Sequence, residues 1–466
     1  MSHSNDSTAA KRIREVLDQD SFVELGTYVT ARSTDFNLNG EKTPADGVVT
    51  GYGTIEDKLV FIYSQDPDVM GGSVGEMHAK KIARLYEQAM KMGAPVIGLI
   101  DCSGFRIQEA TDALNAFGSL YRCQALASGV IPQIQAIYGS CGGSLAVSAA
   151  MADFTFLETT GGRLFMHVPS AVSGKPEDTD STSPAFQSAE TGVAAFTGTS
   201  EEIAEGIRKL IDILPANNSE DLSEGECRDS LNRLVSGIEK LDARARLAEI
   251  SDDGFVLEPW KEFGPNVATA FIRLNGRTVG VIANAEQEVC FRGLKKAVRF
   301  LNFCDAFEIP VLTLEDAAGF TKTMNTELES ASEAAKLISA YASATIPKVT
   351  IITGAARGLA YNVFGPKTAS DLVLAWPSAE VSLMDAGDAV RIMYAEELEK
   401  ADNRKELFDE KTAEYTALQA SAEGAARRGY VDDIIAPELT RKRAVAAFEM
   451  LYSKDEDIPA KKHGTV

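Results

Sequence analysis

The chain repeats itself at an offset of 215 residues. "APVIGLIDCSGF" (94–105) resembles "IPVLTLEDAAGF" (309–320), and the shift carries Pro95 to Pro310, Asp101 to Asp316, Gly104 to Gly319 and Phe105 to Phe320. Without a gap it also carries Lys80, Lys81 and Arg84 to Lys295, Lys296 and Arg299, Ile131-Pro132 to Ile346-Pro347, Gly139 to Gly354 and Gly143 to Gly358. A register held over so long a stretch marks duplication of a whole structural unit. Each copy reads as a helix, a buried strand, a loop and a second helix, then another buried strand. In the first copy the opening helix is HAKKIARLYEQAMKMGA, with Ile82, Leu85 and Ala89 at helical spacing, and the strands are PVIGLID and IPQIQAIYG. Strands alternating with helices predict an α/β fold with a mainly parallel, covered sheet in each of two tandem domains, placed at 1–240 and 241–466.

Composition narrows the function. The formal charge of −22 repels polyanions, and no cluster of basic residues interleaved with aromatics offsets it, so nucleic acid is excluded as an expected partner. With six cysteines, no C-x-x-C pair and four histidines, neither a zinc site nor a disulfide framework is expected; the cysteines read as reduced core thiols and the metal set as none. No apolar run approaches the ~18 to 20 residues of a membrane span and no signal-peptide pattern opens the chain, so a cytoplasmic protein is expected.

The stretch "YGSCGGSLAVSAAMADF" (138–154) directly follows the second strand of the first copy and holds ten Gly, Ala or Ser residues in seventeen. Small residues at a strand-to-helix turn let a ligand or another backbone approach the first-turn N–H groups, which lack partners inside the helix and carry the positive end of its dipole. Such amides suit a developing anion; the same composition also permits tight helix–sheet packing. "GAARGLAYNVFG" (354–365) recurs at the same place in the second copy, favouring two related sites.

With these residues assembled, the chain resembles the carboxyltransferase subunits of biotin-dependent acyl-CoA carboxylases and of the related decarboxylases, including methylmalonyl-CoA decarboxylase alpha subunits. The likeness rests on "RIREVLDQDSFVELG", "ADGVVTGYGTIEDKLVFIYSQD", "GGSVGEMHAKKIARLYEQAMKMGAPVIGLIDCSGFRIQEA" and "ASGVIPQIQAIYGSCGGS", then on "FLNFCDAFEIPVLTLEDAAGF", "YASATIPKVTIITGAARGLAYNVFG" and "SDLVLAWPSAEVSLMDA". It implies two crotonase-like domains, the first binding a short acyl-CoA (propionyl/methylmalonyl or acetyl/malonyl) and the second receiving biotin from a separate carrier protein. It further implies a homo-hexamer with sites formed between the first domain of one subunit and the second of another, working with a biotin carboxylase or with a membrane decarboxylase subunit.

Carried over residue by residue, the resemblance assigns Gly142, Gly143 and Ser144 to the thioester carbonyl and Gly358, Leu359 and Ala360 to the biotin ureido oxygen. The loop "SGFRIQEA" (103–110) brings Ser103, Gly104, Phe105 and Arg106 near the CoA arm, with Arg106 meeting a phosphate or forming a structural salt bridge. Tyr361 and Asn362 follow the second segment, Asn362 standing where the family's acyl-chain choice is made. Leu359, Ala317-Ala318 and Thr321-Lys322 depart from the usual pattern. Lys80 and Lys81, like Lys295 and Lys296, read as a solvated helix face. Ala89-Met90-Lys91-Met92 matches the sequence around a biotinylated lysine, but Lys91 followed by Gly93 is an ordinary helix C-terminus. Two rival readings keep the fold: acyl-CoA hydration or isomerisation, with Glu109 or Asp112 as acid/base, and a non-catalytic scaffold.

Overall fold

The structure, a computed structural model, describes residues 7–32, 36, 43–174, 176, 178–220 and 227–459. Its contacts divide the chain into two units, Met1–Asp221 and Leu222–Val466.

The first unit opens with helix α1 (Thr8–Val16), capped by the Ser7 side chain. Its strands are β1 (Val23–Leu25), β2 (Val48–Ile55), β3 (Lys58–Gln65), β4 (Val96–Cys102), β5 (Gln133–Gly142), β6 (Phe154–Glu158), β7 (Arg163–Phe165) and β8 (Phe196–Gly198). They form one sheet in the order β1-β2-β3-β4-β5-β6-β8, with β7 paired to the far end of β5. β1, β2 and β3 run antiparallel and the rest pair in parallel. Helices α2 (Glu76–Met92), α3 (Ala110–Ala127), α4 (Ser144–Met151), α5 (Pro184–Ala189) and α6 (Ser200–Ile213) complete it. The apolar stripe Ile82, Leu85, Ala89 of α2 packs with Phe117 and Leu120 of α3 and with Val96 and Ile100 of β4 in one core. Strands β4 and β5 are buried along nearly their whole length, as near-continuous apolar runs in a covered parallel sheet should be.

The second unit repeats this plan. Helix α7 (Ala243–Ile250) precedes β9 (Val256–Leu257), β10 (Val267–Leu274), β11 (Arg277–Asn284), β12 (Glu288–Val289), α8 (Phe291–Ala306), β13 (Val311–Ala317), β14 (Gly319–Phe320), α9 (Met324–Ser343), β15 (Lys348–Arg357), α10 (Leu359–Val363), β16 (Leu372–Ala375) and β17 (Glu380–Ser382). Helices α11 (Ala386–Met393), α12 (Ala395–Lys400), α13 (Arg404–Gln419) and α14 (Ala422–Ala426), then β18 (Asp433–Ile434) and α15 (Thr440–Leu451), close the unit. Its sheet order, β18-β16-β15-β13-β11-β10-β9 with β17 on β15, mirrors the first. The 215-residue offset maps β4 onto β13 and β5 onto β15 end to end, whereas β2 and β3 map onto β10 and β11 at 219; the second unit is four residues shorter between β11 and α8.

The shared glycines Gly139 and Gly354 have a packing reason. A Cβ on Gly139 would lie 2.0 Å from Asp101 Oδ1, and one on Gly354 would lie 2.2 Å from Asp316 Oδ1. Each aspartate sits near the end of its strand with its own N–H bonded to a side-chain amide oxygen, Gln65 for Asp101 and Asn284 for Asp316. Arg12 of α1 pairs with Asp101 at 2.9 Å, and Asp316 accepts from the Ala355 N–H at 2.9 Å. These glycines therefore make room for a carboxylate that ties the strand ends together.

The expected solvated lysine face is half wrong. Lys80 is exposed and pairs with Glu76, but Lys81 and Lys296 are buried. Lys81 Nζ donates to the carbonyls of Ala45 and Val48, and Lys296 Nζ to the Trp260 carbonyl at 3.1 Å. The duplicated lysine therefore ties the chain that leads into β2 or β10 to α2 or α8. The units divide near 221 where the sequence placed the domain boundary at 240, because Val235 donates to the Glu438 carbonyl and Arg441 to that of Ser230. The polar stretch 173–192 includes helix α5 with Pro184, Gln187 and Ser188 buried; residues 175, 177, 221–226 and 460–466 of the polar segments and tail lie outside the described residues. The six cysteines are free thiols, but only Cys102, Cys141 and Cys304 are in the core.

Burial pushes the Lys296 ammonium down to about 7. A folded pKa below the unfolded value means that the unfolded chain binds more protons between the two, so this group's destabilising effect is greatest below about pH 7 and fades as pH rises toward the unfolded lysine value. Lys296→Met should therefore gain most over the wild type near neutral pH and lose that advantage as pH approaches about 10, read as the difference in urea midpoint across the range.

Candidate active site

In both units the strand-to-helix turn has one geometry. β5 runs into Gly143 at φ 57°, ψ −117°, and α4 begins at Ser144; β15 runs into Gly358 at φ 55°, ψ −128°, and α10 begins at Leu359. Only glycine adopts this backbone without strain. The neighbouring short strand fixes the turn: Gly143 N–H donates to Phe165 O at 2.9 Å, and Gly358 N–H to Ser382 O at 2.8 Å. This corrects one part of the sequence expectation. The amides of Gly143 and Gly358 are already bonded and set the turn, so the donors left for an anion are those of the first helical residues, Ser144 and Leu145 in one unit and Leu359 and Ala360 in the other, which have no acceptor inside the helix. Gly142 is small because a Cβ there would lie 2.5 Å from the Phe165 ring.

Behind the first turn lies a polar lock that the sequence reading missed. Ser148 Oγ donates to Gln124 Oε1 at 2.8 Å, Gln124 Nε2 to Ser148 O at 3.0 Å, and Gln135 Nε2 to Ser148 Oγ at 3.1 Å. Tyr121 Oη donates to Ser144 O at 2.8 Å. α4 is thereby fixed to α3 and β5, and its small residues let those elements come close. Two glutamines at alternate positions of an apolar strand, Gln133 and Gln135, were the available signal.

The loop after β4 is anchored rather than open at Arg106. Its guanidinium is fully buried, paired with Asp46 and at 2.9 Å with Glu109, and donates to Ser73 O at 2.7 Å. Arg106 is therefore the structural salt bridge of the two alternatives and does not reach a phosphate. Glu109 is occupied as well, its second oxygen accepting the Glu76 N–H at the start of α2, 2.6 Å away. Asp112 pairs at the surface with Arg32. The acid/base residues required by the hydration reading are thus held in ion pairs. Ser103 and Phe105 remain exposed, Gly104 takes φ 103°, and Ala110 holds a strained φ of 45° where α3 begins. His78 is buried against Gln65 and the Asp46 carbonyl; burial first, then the Arg106 and Lys81 cations, lower its pKa to about 3 against the opposing pull of that carbonyl.

In the second unit Leu359 is exposed and Ala360 buried, while Tyr361 is half-buried and Asn362 exposed. Directly before the cap glycine, Arg357 makes a bidentate pair with Glu380 at 2.8 and 2.6 Å. The first unit has Gly142 at that position, so this fixed ion pair belongs to the second site alone. The A-M-K-M lysine, Lys91, lies in the last turn of α2, which ends on Gly93 at φ 62° as read from the sequence. Among the described residues no cluster of His, Cys, Asp and Glu has the arrangement of a metal site.

A carboxyl transferase domain model matches residues 2–466. The chain belongs to the carboxyl transferase family. This carboxyltransferase is 38% identical to the methylmalonyl-CoA decarboxylase subunit alpha of Propionigenium modestum and 39% identical to the propionyl-CoA carboxylase beta chain of Roseobacter denitrificans, in both cases over 98% of this chain and 93% of the relative. The crystal structure of a transcarboxylase 12S hexamer with methylmalonyl-CoA and methylmalonic acid bound superposes with a TM-score of 0.94 at 35% identity, covering 99% of this chain and 92% of that one. Both units have the crotonase-like architecture that the family resemblance implies. No helix among the described residues is long and apolar enough to cross a membrane.

If the first-turn amides are the working groups of the carboxyltransferase, proline at N1 should remove one without breaking the helix. Ser144→Pro and Leu359→Pro are each expected to lower carboxyl transfer about 10²- to 10³-fold, with unchanged circular dichroism. Rates near wild type in folded variants would show that the anion is held elsewhere.

Proposed function

We propose that the protein moves a carboxyl group between biotin on a separate carrier and the α-carbon of a short acyl-CoA, with propionyl-CoA and methylmalonyl-CoA as the preferred pair. The observation that carries this reading is the duplicated turn, which offers two sets of helix-start amides in the same backbone geometry. Such a transfer gathers negative charge on two oxygens, that of the thioester enolate and that of the biotin ureido group. Fixed N–H donors stabilise each without reorganising. The α4 start serves the thioester and the α10 start the ureido oxygen. Biotin, when present, supplies the nitrogen that carries the carboxyl group and takes the α-proton, which fits the ion pairs that occupy Glu109 and Asp112.

The acyl choice is supported by the names of the two relatives and by the methylmalonyl-CoA of the transcarboxylase structure. The hexamer assembly of the transcarboxylase 12S structure supports a homo-hexamer for this chain as well. The same comparisons also support partnership with a biotin carboxyl carrier protein and with a biotin carboxylase or a membrane decarboxylase subunit. The absence of a long apolar helix among the described residues is compatible with a cytoplasmic location.

Two measurements test this. Incubated with free biotin and carboxyl-labelled methylmalonyl-CoA or malonyl-CoA, the protein should release labelled carboxyl in a biotin-dependent way and favour methylmalonyl-CoA. Turnover of an enoyl-CoA without biotin, or no label movement with any acyl-CoA, would exclude the assignment. Asn362, exposed in the second turn of residues after the cap, should tune acyl length: Asn362→Ile is expected to shift relative kcat/KM between the two substrates about tenfold, the scale of one or two methylenes in a pocket. Identical ratios would place the acyl pocket elsewhere.

A further inference from the structure

Strand β13 carries a residue that its duplicate does not. Glu315 occupies the position of Ile100 on β4. Ile100 belongs to an apolar core with Phe117, Leu120 and, from α4, Leu145. Glu315 is as fully buried as Ile100, and neither of its carboxyl oxygens has a hydrogen-bond partner among the described residues. It shares a face of β13 with Thr313, whose hydroxyl meets Tyr341 of α9 at 2.8 Å. The ionisable groups that act with it are Asp316 on its own strand, Tyr341 on α9 and Tyr361 on α10, with Cys304 of α8 beside Tyr341. None of these is a cation, while Arg246 of α7, bonded to Thr353, and Arg357 of β15 act on Asp316.

The two units keep so close a register that Ile100 shows what a purely structural answer at this position looks like. A buried polar group without a partner lowers stability and calls for a reason. α10, five residues long, is far below the length at which a helix holds itself, so its place is set by what lies beneath it. We propose that Glu315 is a positioning residue for the second half of the transfer: its buried, unpartnered carboxyl acts on Tyr361 of α10 and holds the first turn of that helix in place. The inference rests on the reading of the α10 start as the ureido-oxygen site. Burial drives the Glu315 carboxyl well above the usual carboxylate range, which favours its uncharged form, and a rise in pH acts against that form. A carboxylate formed there meets Asp316 and no counter-charge from the groups that act with it, so it must draw in water. The short helix is the element least able to resist that.

The test compares wild type, Glu315→Gln and Glu315→Ile in transfer from methylmalonyl-CoA to free biotin, between about pH 6 and about pH 10. The wild-type kcat should fall reversibly on the alkaline side. Glu315→Gln, uncharged at every pH, should stay within about twofold of wild type near neutrality and lack the alkaline fall. Glu315→Ile should lose at least about fivefold in kcat with the KM for methylmalonyl-CoA unchanged. Because the folded pKa is raised, the stability linked to Glu315 is complete at low pH and lost as pH rises, so the wild-type melting temperature should drop relative to Glu315→Gln across the same range. An Ile variant as fast as wild type at every pH, or a Gln variant with the same alkaline fall, overturns the proposal. Should the Ile variant fail to fold, the Gln profile decides. A wild type that moves no carboxyl group sinks the functional reading itself, whereas normal turnover with indistinguishable profiles sinks this inference alone.

Discussion

One hydrogen bond in each unit sets the direction of everything at the candidate sites. Phe165 O takes the Gly143 N–H and Ser382 O takes that of Gly358, in both cases from a three-residue strand paired to the far end of the central strand. Held there, the cap glycine turns through a backbone conformation that other residues adopt only with strain, and the next amides leave the sheet unpaired at the positive end of a helix. β7 and β17 are small, but without them the cap glycine would have no fixed partner and the first-turn donors no fixed direction.

The two halves share this frame and differ in what braces it. In the first unit the loop after β4 is closed by a buried guanidinium between two carboxylates, Arg106 with Asp46 and Glu109. The same offset places Thr321 and Met324 at the positions of Arg106 and Glu109, and hydroxyl contacts among Thr321, Thr323 and Thr326 take over the bracing. A buried charge cluster loses heavily if one member is removed, whereas a hydroxyl network gives more easily. Behind the helices the contrast reverses. α4 is locked by Gln124, Gln135 and Ser148, while α10 is shorter and the second unit buries an unpartnered carboxyl, Glu315, on β13. The first unit thus has its loop and its helix tied down, and the second unit combines a fixed ion pair, Arg357 with Glu380, with a short helix.

Much of the frame can be read directly from residues. Apolar runs such as PVIGLID and the Ile82, Leu85, Ala89 stripe state strand and helix because one period satisfies a covered sheet and the other a single helix face. Gly93 after Lys91 states a helix end, and Asn275-Gly276 is the two-residue turn a hairpin favours, with φ of 54° and 75°. Glu56-Asp57 makes the same turn in the first unit with φ of 50° and 63°, against local preference, because the strands on either side pair in register. The small residues after β5 and β15 announced a close approach, but not that the glycine amides themselves are bonded.

The sequence by itself determined the duplication, the α/β class and the two strand-to-helix turns, since these follow from periodicity and from the backbone freedom of glycine, which are local. Tertiary structure alone decided the states of the charged groups. Lys81 and Lys296 look like neighbours of Lys80 on a wet helix face until the chain entering each sheet covers them, and Arg106 looks like a phosphate ligand until Asp46, sixty residues earlier in the chain, arrives beside it. The cost of burying a charge and the partner that offsets it both depend on what lies next to the group in space, and distant segments supply those neighbours.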